Sequence, residues 1–247
     1  ALILKVHRSN FYIGGFTAEP DITELSELAQ QHGFPLVEDI GSGAMMNTDE
    51  LAPIDHEPTP EAALKNGIDL VCFSGDKLLG GPQSGIIAGR SDLVAGIKSE
   101  PFFRAVRCDK LILTVLQESI DEYLRTQAEP SKTDIPTLQN LAVKPEVLRA
   151  RAETMLKELS AITSADIKII DSTATTGGGT MPTSQIPSIA LQIKPLNMSL
   201  NKFATQLRIG TPAIVGYTDD GQLCLDLRTI FEWQDRMIVS TLLKILK

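Results

Sequence analysis

IDLVCFSGDKLLGGPQSGIIAGR, residues Ile68 to Arg90, decides how the rest of the chain is read. It runs from an apolar segment (Ile68 to Phe73) through a Gly-rich polar turn carrying Lys77 to a second apolar segment (Ser84 to Ala88). Short apolar runs bounded by glycines suit buried strands, so both segments are expected as strands. Lys77 then sits on a short loop between two core strands. Desolvation penalises the ammonium form of a lysine held in that way, and a neutral amine attacks carbonyls. Taken alone, a glycine-flanked lysine reads as a solvated turn residue. The company of Ser74, Asp76 and the Gly80-Gly81-Pro82 corner argues for more, because small residues let backbone approach a flat ligand and a serine can donate to a phosphate.

Outward from this stretch, the N-terminal half alternates strand and helix. Leu2 to Val6 reads as a strand, followed by a polar-aromatic loop. A helix opens at Pro20-Asp21, carries Ile22, Leu25, Leu28 and Ala29 at helical spacing, and ends at Gly33. Pro35 to Glu38 is a strand with Asp39 where it gives way to a loop, and Pro60 to Asn66 is a second helix. This order predicts an α/β fold with a parallel sheet and crossover helices. Ligands of such sheets lie beyond the carboxyl ends of the strands, where Asp39 and Lys77 fall.

From Ser91 the pattern changes. Ser91 to Ile97 and Asp109 to Thr126 read as helices, the second with Leu111, Leu113, Val115, Leu116, Ile120 and Leu124 as its apolar face. Residues 129–145, with three prolines, read as a linker. Beyond it come a helix over Pro145 to Ile162 and strands at Ile167 to Ile170 and Ile186 to Ile193. A helix at Leu200 to Leu207, strands Ala213 to Tyr217 and Gln222 to Leu227 around a TDDG turn, and a closing helix complete an α+β domain. The expected domains are 1–127, a linker 128–145, and a small domain 146–247.

Composition sets outer limits. The 247 residues are 43% hydrophobic and 22% charged, ordinary for an α/β protein, with a net charge of −8. That charge argues against a general nucleic-acid or DNA surface, although a tRNA gripped elsewhere is compatible with it. No apolar run approaches the roughly 20 residues of a membrane span. Three separated cysteines, two of them in strand-like runs, point to reduced thiols and a cytoplasmic setting, and three scattered histidines give no metal-ligand spacing. There is no initiator Met and Ala1 enters directly on a strand-like run, so the chain reads as a fragment preceded by roughly two hundred residues.

The stretch SGDKLLGGPQSGI (Ser74 to Ile86) closely resembles the cofactor-lysine segment of the L-seryl-tRNA(Sec) selenium transferases, bacterial selenocysteine synthases of the pyridoxal-phosphate fold-type I superfamily. LILKVHRSNFYIGGFT (Leu2 to Thr17), PLVEDIGSGA (Pro35 to Ala44), RAVRCDKL (Arg104 to Leu111), GGGTMP (Gly177 to Pro182) and LCLDLRTI (Leu223 to Ile230) resemble the same family, in its order. The resemblance implies the C-terminal part of a fold-type I large domain plus a smaller α+β domain.

It further implies pyridoxal 5′-phosphate as cofactor and seryl-tRNA(Sec) and selenophosphate as substrates, in a homo-oligomer built from dimers. Lys77 would be the covalent attachment point and the base at the seryl Cα. Asp39 would pair with the ring nitrogen, although a turn cap in EDIGSG is the plain alternative. Ser74 would bind the cofactor phosphate, or bond its own turn. Asp76, beside the lysine, would position it or the incoming substrate. Arg104 and Arg107 are three apart and would share a helix face to hold the phosphate-bearing selenium donor, the alternative being two solvated surface arginines.

Arg208 and Arg228 would reach the site from the small domain. The family pattern near Gly216 carries an arginine where this chain has Tyr217, which weakens that contact. The Gly177 to Gly179 run would be a phosphate cradle only if a helix followed, and a loop facing the active site fits it equally. Two rival readings stand beside the transferase. One is a pyridoxal-phosphate lyase acting on a phosphorylated amino sugar or amino acid; the other is an inactive assembly module.

Overall fold

The computed structural model describes residues 1–126, 132–177 and 179–246, which divide into two compact units. Unit one comprises residues 1–142 and 175–184; unit two comprises 143–174 and 185–247.

Unit one is built on a four-stranded sheet in the order β1 (Ile3–Val6), β2 (Leu36–Gly41), β3 (Leu70–Ser74), β4 (Gly85–Gly89). The first three strands are parallel and β4 runs antiparallel to β3. Helix α1 (Ile22–His32) makes the first crossover, and its ends follow the sequence signals. The Asp21 carboxylate accepts from the backbone N–H groups of Thr23 (2.7 Å) and Glu24 (3.2 Å), and Gly33 stops the helix at φ 66°, which a glycine adopts without strain. The short α2 (Thr48–Leu51) and α3 (Pro60–Lys65) make the second crossover, with Pro60 in the first turn of α3, where a missing N–H costs nothing. Ala29, Leu36, Ile40, Ala63, Ile68, Val71, Phe73 and Leu79 form the core of this unit.

Helices α4 (Ser91–Ser99), α5 (Phe103–Val106), α6 (Lys110–Thr126) and α7 (Pro136–Ala142) follow β4. Three expectations change here. The apolar strand β4 is not a core strand: it ends the sheet, alternate residues face out, and Ile87 is 45% exposed. Of the six apolar residues expected to line the inner face of α6, only Leu116 and Ile120 pack on the core, joined by Tyr123, while Leu111, Leu113, Val115 and Leu124 are exposed. Part of the proline-rich stretch expected as linker is α7, which buries Leu138 and Leu141, with Pro136 as its first residue; residues 128–131 of that stretch lie outside the described ones.

Unit two is an antiparallel sheet in the order β5 (Ala165–Ala174), β6 (Ile186–Pro195), β8 (Gln222–Asp226), β7 (Tyr217–Asp219). Its core joins the sheet residues Ile189, Leu191, Ile193, Leu223 and Leu225 to helices α8 (Pro145–Glu158), α9 (Leu200–Ile209) and α10 (Asp235–Ile245). The expected hairpin forms, but its turn is only Asp220 (φ 45°) and Gly221 (φ 71°), both left-handed as a two-residue hairpin needs. Thr218 and Asp219 belong to β7, and residues 213–216, expected as strand, are not in one. Among the described residues no helix is long and apolar enough to cross a membrane.

Candidate active site around Lys77

Lys77 lies in the turn that follows β3 and is half-buried. Its backbone is held on every side. Gly75 N–H donates to Ser84 O and Gly81 N–H to Gly75 O, both at 2.8 Å, and Gly80 N–H donates to Lys77 O at 3.0 Å. A Cβ at Gly75 would lie 2.3 Å from Ser84 Oγ and 2.6 Å from Pro82 O, so only glycine fits where the turn crosses itself. The buried side chains of Leu78 and Leu79 anchor the turn, and the Tyr123 hydroxyl donates to the carbonyls of Leu78 (3.3 Å) and Leu79 (3.0 Å). Burial raises the pKa of that phenol well above the ordinary value, so it stays a donor.

Asp39 does not end its strand. Strand β2 continues to Gly41, and Asp39 pairs with Val6 on one side and Cys72 on the other. The longer strand is explained by the parallel neighbours on both sides, which supply hydrogen-bond partners past Glu38. Burial, and after it the Asp39 carboxylate, push the Cys72 thiol pKa up. The loop after β2 then closes on the lysine turn: Leu78 N–H donates to Ser42 O at 3.0 Å. A Cβ at Gly43 (φ +69°) would lie 2.4 Å from Ser74 O. The segments that follow β2, which holds Asp39, and β3, which leads to Lys77, are thus one backbone-bonded assembly.

Sequence reasoning missed a third contributor. Ser9, buried in the loop after β1, accepts through its carbonyl from Met181 N–H (2.8 Å), and its hydroxyl reaches Gly179 O at 3.5 Å. Gly179 in turn lies against Lys77, and a Cβ there would be 3.4 Å from Lys77 Cε. Gly178 lies outside the described residues. No helix follows the run, since residues 180–185 pass through a turn into β6, so the helix a phosphate cradle requires is missing, and Gly179 lies against Lys77. Ser74 and Asp76 take the places expected beside Lys77, Ser74 half-buried and Asp76 exposed.

Arg104 and Arg107 do not share a helix face. Helix α5 is a single turn that stops at Val106, and Arg107 is extended (φ −66°, ψ 142°). The chain turns there because Asp109 caps the next helix, its carboxylate accepting from Ile112 N–H at 2.9 Å. Both arginines nevertheless line one cavity of about 820 Å³ together with Lys98 and Lys110, over an apolar floor that includes Ile86, Ile97 and Leu116. Ser84 and Gly85 line it too; Lys77 and Asp39 do not.

In unit two, Arg208 is exposed near the end of α9, with its guanidinium 3.4 Å from Thr205 Oγ1. Arg228, expected to reach toward a substrate, is 4% exposed and donates to the carbonyls of Val143 (2.9 Å) and Pro187 (2.6 Å). Its guanidinium is committed to fastening unit two together. Tyr217 sits in β7 opposite Cys224, and its phenol pKa is pushed up to about 12, chiefly by burial.

The residues around Lys77 fit pyridoxal phosphate. They offer an amine on a fixed turn, a carboxylate on the adjoining strand, and two buried hydroxyls, Ser42 Oγ and Thr180 Oγ1, without a hydrogen-bond partner, on the two loops that touch the turn.

Residues 1–231 match the family model for L-seryl-tRNA selenium transferase. The chain belongs to that family. It is 40% identical over 249 residues to the L-seryl-tRNA(Sec) selenium transferase of Moorella thermoacetica and 37% identical over 246 residues to that of Aquifex aeolicus. Both matches take in 100% of this chain but 52% and 54% of the relative, so the chain spans about half the length of the curated relatives it matches. A solved D-glucosaminate-6-phosphate ammonia-lyase superposes with a TM-score of 0.56 at 23% identity, covering 100% of this chain and 57% of that one. That likeness speaks for the fold alone, the α/β class expected of the resemblance.

Proposed function

We propose that this chain carries the lysine-bearing part of a pyridoxal-phosphate enzyme that converts seryl-tRNA(Sec) to selenocysteinyl-tRNA(Sec) with selenophosphate. The observation that carries the reading is the Lys77 turn, bonded through Leu78 to the loop that follows Asp39 in a chain of this family. Bound pyridoxal phosphate supplies an aldehyde for covalent attachment and a ring that accepts the electrons of a substrate carbanion. Lys77 would hold the cofactor and would take the proton from the seryl Cα. Asp39 would pair with the ring nitrogen, and Ser74, Ser42 and Thr180 are the hydroxyls that would be available to the cofactor's polar groups. Asp76 orients the lysine or the aminoacyl group.

The net reaction replaces the seryl hydroxyl by a selenol and releases phosphate. Arg104 and Arg107, with Lys98 and Lys110 beside them, give a cationic wall suited to selenophosphate, and Arg208 is a further contact for the substrate. Assembly from dimers and a cytoplasmic setting belong to the same proposal. The exposed apolar residues Leu2, Leu4, Val6 and Ile87 favour association, and an aminoacyl-tRNA substrate favours the cytoplasm.

The test is turnover of seryl-tRNA(Sec) with selenophosphate by the complete protein, beside Lys77→Ala and Asp39→Asn. Selenocysteinyl-tRNA formed by wild type and lost in both variants supports the reading. Ammonia released from a phosphorylated amino sugar, with no selenium transfer, would replace it by the lyase.

A further inference from the structure

The loop between β5 and β6 is not part of the unit whose sheet it connects. Residues 175–184 belong to unit one, where several of the described ones are tightly fastened. Ser184 Oγ donates to Asp55 Oδ2 at 2.7 Å and accepts from Asp55 N–H at 3.1 Å, and Thr183 Oγ1 donates to the same carboxylate at 3.1 Å. Met181 N–H is bonded to Ser9 O at 2.8 Å, and Thr176 Oγ1 donates to Thr180 O at 2.7 Å. Thr180, Met181 and Ser184 are each no more than 4% exposed, and Met181 is held at φ 47°, a conformation that a non-glycine residue adopts only when its surroundings impose it. A surface hairpin loop would show none of this.

Within that frame Gly179 has φ +111°, and a Cβ built on it would lie 3.4 Å from Lys77 Cε and 3.8 Å from Cδ and Nζ. Gly177 is nearly as left-handed (φ +98°), yet its Cβ would meet nothing within 4 Å. The two glycines therefore separate backbone need from space need.

We propose that residues 179–184 form a fixed roof over the lysine, with Gly179 as the residue that positions the Lys77 side chain, and with Asp55 as the clamp that holds the roof down. The proposal rests on the reading of Lys77 given above. One amine that must hold a cofactor and then reach a substrate Cα has to rotate about its Cδ–Cε bond. A side chain at 179 would stand against that bond. A roof held down also keeps reagents in solution off the amine. Gly179 is a positioning residue, for it touches the lysine and not the reacting carbon.

The experiment compares acetylation of lysines in the complete protein freed of cofactor, read by peptide mass spectrometry, with Lys65 and Lys98 as internal references. Asp55→Ala removes a charged acceptor shared by two hydroxyls, a contribution that converts to roughly tenfold or more in roof opening. Lys77 labelling should rise by about that factor, with the references unchanged. Should Asp55→Ala fail to fold, Ser184→Ala, which keeps the Thr183 bond, should give a smaller rise in the same direction. In parallel, the rate at which pyridoxal phosphate and borohydride trap Lys77 should fall roughly tenfold in Gly179→Ala and stay within about twofold in Gly177→Ala, since a tenfold change needs only about 1.4 kcal/mol.

Unchanged Lys77 labelling in the clamp variants, or equal trapping rates in the two glycine variants, would overturn the proposal. If pyridoxal phosphate fails to protect wild-type Lys77 from acetylation, the cofactor reading falls instead, because the roof is measured without cofactor.

Discussion

Leu78 donates its backbone N–H to the carbonyl of Ser42 at 3.0 Å, which ties the residue after Lys77 to the loop that follows Asp39. Gly43 makes this approach feasible, since its absent side chain is where Ser74 O lies. Gly43→Ala would combine left-handed strain with overlap against backbone and should cost on the order of 3 kcal/mol. Gly33→Ala is the matched control, with nearly the same φ and nothing within 4 Å of its Cβ, and should cost about 1–2 kcal/mol. Denaturant unfolding of both variants of the complete protein checks the difference; equal losses would show that the two loops do not need to touch.

Tyr123→Phe leaves the carbonyls of Leu78 and Leu79 without their donor and should cost about 1–2 kcal/mol at neutral pH. The variant also tests a pH dependence. Burial raises the phenol pKa in the native state above its ordinary value of about 10, so the native state keeps a proton that the unfolded chain gives up. The stability this adds is complete below pH 10 and is lost as pH climbs beyond it toward the raised value. Stability measured from pH 8 to 11 should therefore fall less steeply in Tyr123→Phe than in wild type.

Arg104→Ala together with Arg107→Ala should weaken use of the selenium donor far more than binding of the cofactor. Hydrogen bonds to charged groups are worth roughly 1.5–3 kcal/mol each, so losing two predicts on the order of a hundredfold in apparent donor affinity. Arg104→Lys should rescue poorly, because an ammonium cannot form the paired contact. Steady-state kinetics with selenophosphate as the varied substrate decide it, and an unchanged KM for the donor would return both residues to the solvated surface.

Arg228→Ala should act on folding and not on substrate. Two carbonyls, Val143 O and Pro187 O, lose a charged donor, and Asp226, which also accepts from Ser172 and Ser188, loses the neighbouring positive charge. About 3 kcal/mol or more of stability should go. Arg208→Ala, on an exposed helix end, should leave the melting temperature within a degree or two, consistent with the small effects of surface substitutions. A variant of Arg228 that melts normally but binds substrate poorly would reverse the assignment.

The legible parts of this chain were those set by local chemistry. Asp21 and Gly33 marked the ends of α1, Asp220-Gly221 marked a hairpin, and the glycines around Lys77 marked a turn between strands. What misled was the assumption that an apolar residue is a buried one. Ile87 and Leu113 have the composition of core residues but lie on exposed faces of β4 and α6. Pro136 looked like a linker proline although it occupies the first turn of α7, where proline is equally at home. The contacts of Gly179 with Lys77 and of Ser184 with Asp55 join residues more than a hundred positions apart, and no spacing pattern encodes a meeting of that kind.

The central claim is that Lys77, held between the loop after Asp39 and the roof at Gly179, is where the cofactor is attached. Borohydride reduction of the complete protein loaded with pyridoxal phosphate, followed by peptide mapping, tests it most directly. The account predicts one pyridoxyl group, on Lys77, that disappears in Lys77→Ala while the fold is retained. A label on Lys65 or Lys110 in place of Lys77 would contradict it.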